Sequence, residues 1–256
     1  MTAALFITPL WIDITAVAIG ALQGALTAAQ FRSRKLDLLG VAIIGIATGF
    51  GGGLLRDILL VEVPATLQSN WYLPVAAAAA MVGMLLERVF TRLNATITIL
   101  DALTIGLFGA IGTTKALAWG LPEVPAIFVG VVSAVGGSIL RDILLNLPIA
   151  LMHVGSLYAV AALLGSSTLV VMMAFGAPIF VSAVVCVAVT FSVRVLAVFF
   201  NWSLPEQRRL ERLPRIPRMP QIPRLPHLTR LSRNPRTPRP SRGSVPPVPR
   251  TLRRRP

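Results

Sequence analysis

The chain has 256 residues and a net charge of +14, with 55% hydrophobic and only 13% charged residues. Soluble domains carry about 25% charged residues, and the mean hydropathy of this chain is +0.75. These values exclude a soluble globular domain and predict an all-α polytopic membrane protein. The single cysteine, Cys186, cannot form an internal disulfide and is expected to be a small buried side chain.

Seven apolar stretches each approach the roughly 20 residues that a helix needs to cross a bilayer. In chain order, the predicted spans cover residues 11–31, 38–60, 72–90, 97–119, 125–145, 156–174 and 178–200. The turn before the last span is marked only by Gly176, Ala177 and Pro178. No secretory signal peptide is expected, because no Lys or Arg precedes the first span and Asp13 interrupts its start.

The first six spans contain an internal repeat. The segment from Gly51 to Leu60 recurs 85 residues later as the segment from Gly136 to Leu145, and each copy places a glycine cluster before an adjacent Arg and Asp. Upstream of each copy, an Asp is followed eleven positions later by a glycine, at Asp13 and Gly24 and at Asp101 and Gly112. The predicted units are residues 1–95 (first three-helix repeat), 96–175 (second repeat), 176–204 (seventh transmembrane helix) and 205–256 (tail). Because each repeat has an odd number of spans, the two enter the membrane from opposite sides and form an inverted repeat.

The cations of the loops predict the orientation. Arg32, Arg34, Lys35, Arg88 and Arg92 fall on the same side of a seven-span chain as the Arg-rich segment near the C-terminus. The positive-inside tendency makes that side cytoplasmic. The N-terminus is therefore expected outside and the C-terminus in the cytoplasm.

The glycine clusters allow two interpretations. Glycine costs about 1 kcal/mol relative to alanine in a helix interior, so each cluster favours a bend or local unwinding. Backbone exposed in this way must be buried in protein or line a watery cavity, which predicts a pore or substrate path at Gly51, Gly52, Gly53, Gly136, Gly137 and Ser138. The alternative is a tight helix crossing. A path predicts that Gly52→Val or Gly137→Val abolishes flux and spares assembly, whereas a packing motif predicts that assembly fails first.

Charged residues inside the spans mark functional or structural sites. The candidates for ion pairing or gating are Asp13, Arg56, Asp57, Asp101, Lys115, Arg141, Asp142 and Arg194. Neighbouring helix positions point about 100° apart, so the Arg and Asp of each motif are expected to find partners on other spans. Topology predicts the pairs Asp13 with Arg56 and Asp101 with Arg141, which either clamp the helices together or also gate a solute.

Lys115 and Arg194 have a second interpretation. Both lie near the end of a predicted span, four and six residues from it respectively. A long basic side chain in that position can reach the headgroups without a protein partner.

The tail differs in composition from the spans. From Asn201 onward it carries 15 Arg and 2 Glu, which is +13 of the net charge. Prolines at 214, 217, 220, 223 and 226 recur with the three-residue period of a polyproline II helix. This pattern predicts a disordered basic arm that contacts anionic headgroups at the inner leaflet, or else only a solvated topology anchor. A PxxP reader and nucleic acid are the weaker alternatives, because no aromatic residue is interleaved with the basic residues.

The doubled glycine–Arg–Asp motif, the Asp near the start of the first and fourth spans, Lys115, Tyr158 and Arg194 resemble the small bacterial seven-span glycine transporter family. The resemblance covers about residues 10–205, and the family is related to the trimeric intracellular cation (TRIC) channels. It implies a homotrimer in a bacterial cell membrane, with a separate pore in each protomer lined by kinked second and fifth spans. It also implies potassium conduction, as in the channel branch. The main departure is Ser138, where the family has a third glycine.

Three function classes follow from these patterns. The first is a channel that passes small monovalent cations such as potassium, the second a secondary transporter of glycine or another small zwitterion, and the third a structural protein. The glycine clusters and intramembrane charges favour the first two, but the charges alone indicate no preferred sign of solute. No enzyme, cofactor or metal is expected, because His153 and His227 stand alone without a nucleophile or a metal-ligand spacing.

Overall fold

The structure is a computed structural model that describes residues 9–30, 36–90, 94–152, 157–200 and 202. In these ranges the helices are α1 (Leu10–Gln30), α2 (Leu38–Leu59), α3 (Ala65–Gln68), α4 (Tyr72–Phe90), α5 (Asn94–Ala118), α6 (Glu123–Leu145), α7 (Tyr158–Ala174) and α8 (Ile179–Phe199). A 3₁₀ turn lies at Ala150–Met152. The predicted all-α class is confirmed. The basic tail, His153 and the loop cations Arg32, Arg34, Lys35 and Arg92 lie outside the described residues.

The seven long helices begin and end within three residues of the predicted spans. Among the described residues, α1, α2, α5, α6 and α8 are long and apolar enough to cross a membrane, while α4 and α7 provide shorter apolar helices. The count of seven spans therefore stays a prediction. The sequence did not indicate α3 or the 3₁₀ turn, because each is about one turn long and has no apolar period to detect.

The repeats are inverted with respect to each other. Within the first repeat α1 packs against α2 and α4, and within the second α5 packs against α6 and α7; α2 and α6 meet at the centre, and α8 packs on α5 and α7. Asp57 at the end of α2 contacts Lys115 at the end of α5, and Arg56 contacts Asp13 at the start of α1. The start of α1 thus lies beside the end of α5, so these corresponding helices run in opposite directions.

Small residues let the helices approach closely. The buried face of α1 consists mainly of Ala16, Gly20, Ala21, Gly24, Ala25 and Ala28. On the facing helix, a Cβ at Gly45 would lie 2.9 Å from the Ala21 carbonyl oxygen. In a bilayer, where hydrocarbon surrounds every helix, such close packing supplies much of the association energy.

The expected unwinding at the glycine clusters is wrong. α2 is α-helical through residues 51–53 and α6 through residues 136–138. A continuous helix satisfies the backbone groups internally, whereas an unwound turn at membrane depth needs other partners for each of them. A bend that keeps the helical hydrogen bonds stays a prediction.

Candidate functional site

The central feature of the candidate site is the crossing of α2 and α6. A Cβ at Gly52 would overlap the carbonyl oxygen of Ser133, and a Cβ at Gly137 would overlap the carbonyl oxygen of Thr48. These contacts are related by the repeat, since Thr48 and Ser133 are 85 residues apart, as are the two glycines. At this level the backbone of one helix fills the space that a side chain of the other would take.

Gly51 and Gly136 lie in the same contact. A Cβ at Gly51 would be 2.8 Å from the Cα of Gly137 and 2.8 Å from Leu140 Cδ1, and a Cβ at Gly136 would be 2.8 Å from Leu55 Cδ1. Four of the six predicted path positions are therefore occupied by the opposing helix. The packing interpretation, left open by the sequence, accounts for these four positions.

The glycines that lie eleven residues after Asp13 and Asp101 also allow close packing. A Cβ at Gly24 would overlap the Thr48 side chain, and a Cβ at Gly112 would lie 2.7 Å from the Ser133 Cβ. Gly24 thus packs against Thr48, and Gly112 packs against Ser133. The backbone carbonyl groups of Thr48 and Ser133 in turn contact the glycine cluster of the other repeat. The Asp-to-Gly spacing seen in the sequence is explained by this packing.

The third position of each cluster is different. The nearest group to a Cβ at Gly53 would be Arg56 Nη2 at 3.8 Å, with nothing else outside its own helical backbone within 4 Å. Its counterpart Ser138 is 8% exposed, and its hydroxyl donates to the Val135 carbonyl at 2.7 Å. Packing against the opposing helix therefore does not require a glycine at position 53, where a Cβ would make an ordinary contact with the Arg56 guanidinium.

A first charged cluster joins the end of α2 to the start of α1. Arg56 donates through Nε and Nη2 to the two oxygens of Asp57, at 2.7 and 3.2 Å, and its Nη1 lies 3.5 Å from Asp13 Oδ1. Tyr72 from α4 donates its hydroxyl to Asp13 Oδ2 at 2.6 Å. The predicted Asp13–Arg56 pair is present, and both motif residues are at most 1% exposed.

Lys115 extends the first cluster to α5. Its Nζ lies 2.9 Å from Asp57 Oδ1 and also pairs with Glu62. Trp119 donates its indole N–H to Glu62 Oε1 at 3.0 Å. Lys115 is thus held by two carboxylates, and the interpretation that it only reaches the headgroups is wrong.

A second cluster repeats this geometry at the other end of the crossing. Arg141 donates to Asp142 Oδ1 from Nε at 2.9 Å and from Nη2 at 2.8 Å, and its Nη1 lies 3.9 Å from Asp101 Oδ1. Tyr158 from α7 donates its hydroxyl to Asp101. The predicted Asp101–Arg141 pair is therefore present, with the longer of the two separations.

Asp101 also receives side chains from outside its repeat. Gln23 Nε2 of α1 lies 3.3 Å from Asp101 Oδ1. Arg194 of α8 donates to Asp101 Oδ2 from Nε at 3.4 Å and from Nη2 at 3.3 Å, and its guanidinium carbon lies 4.4 Å from the centre of the Tyr158 ring. Arg194 thus faces the protein interior, and the interpretation that it only reaches the headgroups is wrong.

The clusters are separated along the bundle. Asp101 and Lys115 belong to different clusters but lie on the same helix, α5, and are 14 residues apart. At about 1.5 Å per residue, this corresponds to about 21 Å along the helix axis. The two sets of charges therefore flank the glycine crossing rather than meeting at the midplane.

The motif Arg and Asp pair with each other, which the sequence analysis did not expect. An arginine side chain is long and has five N–H donors in a planar fork. It can therefore curl back to the adjacent carboxylate and still reach a second one across the helix pair. The 100° angle between neighbouring positions describes only the directions of the Cα–Cβ bonds and not the reach of a long side chain.

Each motif Asp also closes a loop. Asp57 Oδ2 accepts from the Ala65 N–H at 2.7 Å, and Asp142 Oδ2 accepts from the Ala150 N–H at 2.9 Å. Each donor lies eight residues after its acceptor. Ala65 is at the start of α3, and Ala150 is at the start of the 3₁₀ turn. The sequence analysis predicted neither these contacts nor those of Tyr72 and Gln23. Continuing the 85-residue offset past the end of each motif would have aligned Ala65 with Ala150.

The clusters carry buried charges of both signs. Removing one partner of a buried ion pair typically costs about 3–5 kcal/mol, because the other charge is left uncompensated. The described residues contain no group of three or more His, Cys, Asp or Glu suited to a metal ion. The chemistry that these clusters offer is therefore electrostatic.

The inverted repeats, the glycine crossing and the two buried charged clusters define a polytopic membrane protein of the inverted-repeat class. Residues 10–88 and 98–174 match the glycine transporter family, and the chain belongs to this family. Among its relatives is the UPF0126 inner membrane protein YadS of Escherichia coli strain K12. The two are 31% identical over 199 residues, which cover 76% of this chain and 94% of the relative.

Solved structures of TRIC channels share the fold. A TRIC trimeric intracellular cation channel orthologue from Rhodobacter sphaeroides is 29% identical, with a TM-score of 0.69 over 75% of this chain and 98% of the solved chain. A structure solved to explain conductance through TRIC cation channels is also 29% identical, with a TM-score of 0.69 over 79% of this chain and 98% of the solved one. The chain is thus a membrane transport protein and not an enzyme.

Proposed function

We propose that the protein is a conduit for small monovalent cations, with potassium as its principal solute. The observation that carries this proposal is the pair of buried carboxylate clusters, one at each end of the central helix crossing. Each cluster orients a carboxylate, Asp13 or Asp101, with a motif Arg and a Tyr, and Asp101 also receives Arg194. The likeness to solved TRIC cation channels supports the same solute class.

The proposed path follows the side of α2 and α6 that carries Gly53 and Ser138. A Cβ at Gly53 would contact Arg56 of the same helix at 3.8 Å and would not meet the opposing helix. The Ser138 hydroxyl donates a hydrogen bond to the Val135 carbonyl and also contacts Tyr158 of the second cluster. The path would thus pass beside the crossing, not through the glycine contacts that close it.

A second candidate function is the secondary transport of glycine or another small zwitterion. Two facts favour it: the description of the family, and the presence of arginine beside a carboxylate in each cluster. An arginine can hold the carboxylate of a zwitterion while an aspartate holds its ammonium group. In that case the two clusters would alternate as entry and exit sites.

The proposed assembly is a homotrimer with one path in each protomer, by likeness to the trimeric channel orthologue. The proposed location is the bacterial cell membrane, with the N-terminus outside and the C-terminus in the cytoplasm. The basic tail would then face anionic headgroups of the inner leaflet. The loop cations and the tail support this orientation through the positive-inside tendency.

The test is reconstitution of the purified protein in liposomes, with potassium flux and labelled glycine uptake measured in parallel. The proposal expects potassium flux that does not saturate. Saturable glycine uptake without potassium conduction would support the carrier instead. Neither activity in well-inserted protein would contradict both candidates.

A variant at Gly53 tests where the path lies. Gly53→Val adds bulk next to Arg56 at a position where the Cβ does not meet the opposing backbone. Flux should fall strongly, while the thermal midpoint and the oligomeric state stay close to wild type. Unchanged flux in this variant would place the path elsewhere.

A further inference from the structure

Three connections between helices meet at the end of the bundle that carries the first charged cluster, here called the first-cluster end. At this end α1 and α4 begin, and α2 and α5 end. Arg141 near the end of α6 and Tyr158 at the start of α7 belong to the second cluster, so the start of α6, the end of α7 and the start of α8 also lie at the first-cluster end. The connections are residues 60–71, 119–122 and 175–178.

These connections expose apolar side chains. Leu67, Trp71 and Phe175 are 73%, 66% and 88% exposed, and Val63 is exposed as well. The three connections, all within the described ranges, contain one charged residue, Glu62, and no Lys or Arg. A surface of exposed apolar residues indicates contact with a membrane or with another protein.

We propose that the connections of the first-cluster end insert into the headgroup and upper acyl-chain region of the bilayer instead of projecting into water. Their lengths favour lipid as the partner. α5 ends at Ala118 and α6 begins at Glu123, while α7 ends at Ala174 and α8 begins at Ile179. Connections this short cannot carry their apolar side chains far from the ends of the apolar helices that they join.

Tryptophan side chains mark the same level on three helices. Trp11 is the second residue of α1, Trp71 directly precedes α4, and Trp119 directly follows α5; all three are exposed. Amphipathic rings at the ends of helices are typical of the membrane–water interface. The Trp119 indole N–H donates to Glu62, so its polar edge meets the charged cluster while much of its ring stays exposed. The connections next to these rings therefore lie at interfacial depth.

A groove at this end fits hydrocarbon. It has a volume of about 220 Å³ and lies on α5, between Trp11 near the start of α1 and Phe180 near the start of α8. Its lining is apolar apart from the Trp11 indole and Thr114, and the Thr114 hydroxyl donates to the Ala110 and Ile111 carbonyls of its own helix. The groove thus offers apolar contacts, which suit the acyl chain of a lipid whose headgroup lies near Trp11.

The opposite end of the bundle differs in charge. The connections there, residues 31–37 and 91–93, carry four Lys or Arg in the sequence, which suits contact with headgroup phosphates. Apolar insertion therefore belongs to the first-cluster end alone. It follows that Lys115 and Glu62, whose side chains are partly exposed, open at the level of the lipid headgroups.

Tryptophan fluorescence in proteoliposomes tests this depth. In a variant that keeps Trp71 and has Phe at positions 11, 119 and 202, lipids brominated near the top of the acyl chain should quench the emission several-fold more than lipids brominated near the chain end. Aqueous acrylamide should quench it several-fold less than it quenches free tryptophan. Phe175→Trp, with Phe at all four native tryptophan positions, should behave in the same way.

A double substitution provides the matched control. Val63→Ser with Leu67→Ser changes only exposed side chains, so the thermal midpoint in detergent should stay near that of the parent variant. Quenching of Trp71 by brominated lipid should fall, and quenching by acrylamide should rise.

Two outcomes would overturn the proposal. Strong quenching of Trp71 by acrylamide, with none by brominated lipid, would show that the connection projects into water. Protection of Trp71 from both quenchers would show that another protein surface, such as a second copy of the chain, covers it. Because no flux is measured, the result stands whether or not the proposed cation conduction is found.

Discussion

The three positions of each glycine cluster are not equivalent. At the first two positions, the opposing helix occupies the space of the missing side chain, and at the third it does not. The sequence itself reflects this difference, because the second repeat keeps glycine at 136 and 137 but has Ser138 at the third position. Tolerance of a side chain is therefore expected to change sharply between neighbouring residues.

Alanine substitutions should reveal that change. In Gly52→Ala or Gly137→Ala the new methyl group meets a backbone carbonyl oxygen, which cannot rotate away as a side chain can. Overpacking of this kind costs about 1–3 kcal/mol, so the thermal midpoint and the yield of assembled protein should fall. Gly53→Ala is the matched control and should remain near wild type. Equal losses at positions 52 and 53 would contradict the division between packing and path.

Val61 carries backbone strain at the end of α2. It has φ of +57° and is 92% exposed. Its N–H bonds the Ile58 carbonyl, and the next N–H bonds the Asp57 carbonyl, a pattern that ends many helices with a left-handed residue. The repeat-related residue is Asn146, with φ of +52°, and asparagine tolerates this conformation better than a β-branched side chain does.

Val61→Asn should therefore stabilise the protein. A left-handed conformation costs an ordinary L-residue about 1–2 kcal/mol, and asparagine removes part of this cost. For a chain of this size, about 1 kcal/mol raises the thermal midpoint by about 2–4 °C. The reverse exchange, Asn146→Val, is the control and should lower it. A fall in the midpoint of Val61→Asn would mean that the valine side chain makes a contact that outweighs the strain.

At the scale of helices, the sequence predicted the local features well. The span limits follow from the lengths of apolar runs, and the repeat follows from a constant offset, so both can be read without tertiary information. The pairs Asp13 with Arg56 and Asp101 with Arg141 also follow, because antiparallel neighbours bring the start of one helix beside the end of the next. Each of these inferences uses only position along the chain.

The features that the sequence missed depend on side-chain reach and on close packing. Arg56 folds back to Asp57, and Lys115 and Arg194 reach inward because carboxylates lie within their length. The continuity of α2 through its glycines depends on what faces it. A glycine in the sequence is compatible both with a helix bend and with a close helix crossing. Only the carbonyl oxygens of the opposing helix show that these glycines belong to a crossing. Single-residue propensity therefore could not choose between them.

At the scale of the whole molecule, charge is divided between two parts of the chain. Residues 1–200 carry nine Lys or Arg and eight Asp or Glu, a net charge of +1, while the remainder carries +13. Among the described residues, the ion pairs use four Asp, one Glu and four cations, all at or before position 194. The spans are therefore close to neutral as a set, and nearly all of the net charge belongs to the tail.

Deleting the tail after Leu204 tests this separation. No residue of either charged cluster is lost, so potassium flux per inserted protein should match wild type in neutral liposomes. Each basic residue near an anionic surface contributes about 1 kcal/mol at low salt. Wild type should therefore insert or bind better in anionic than in neutral liposomes, and this difference should shrink in the deletion variant and at high salt. A tail in which every arginine is replaced by lysine keeps the charge and should behave as wild type. A loss of flux in neutral liposomes after deletion would show that the tail contributes to the path itself.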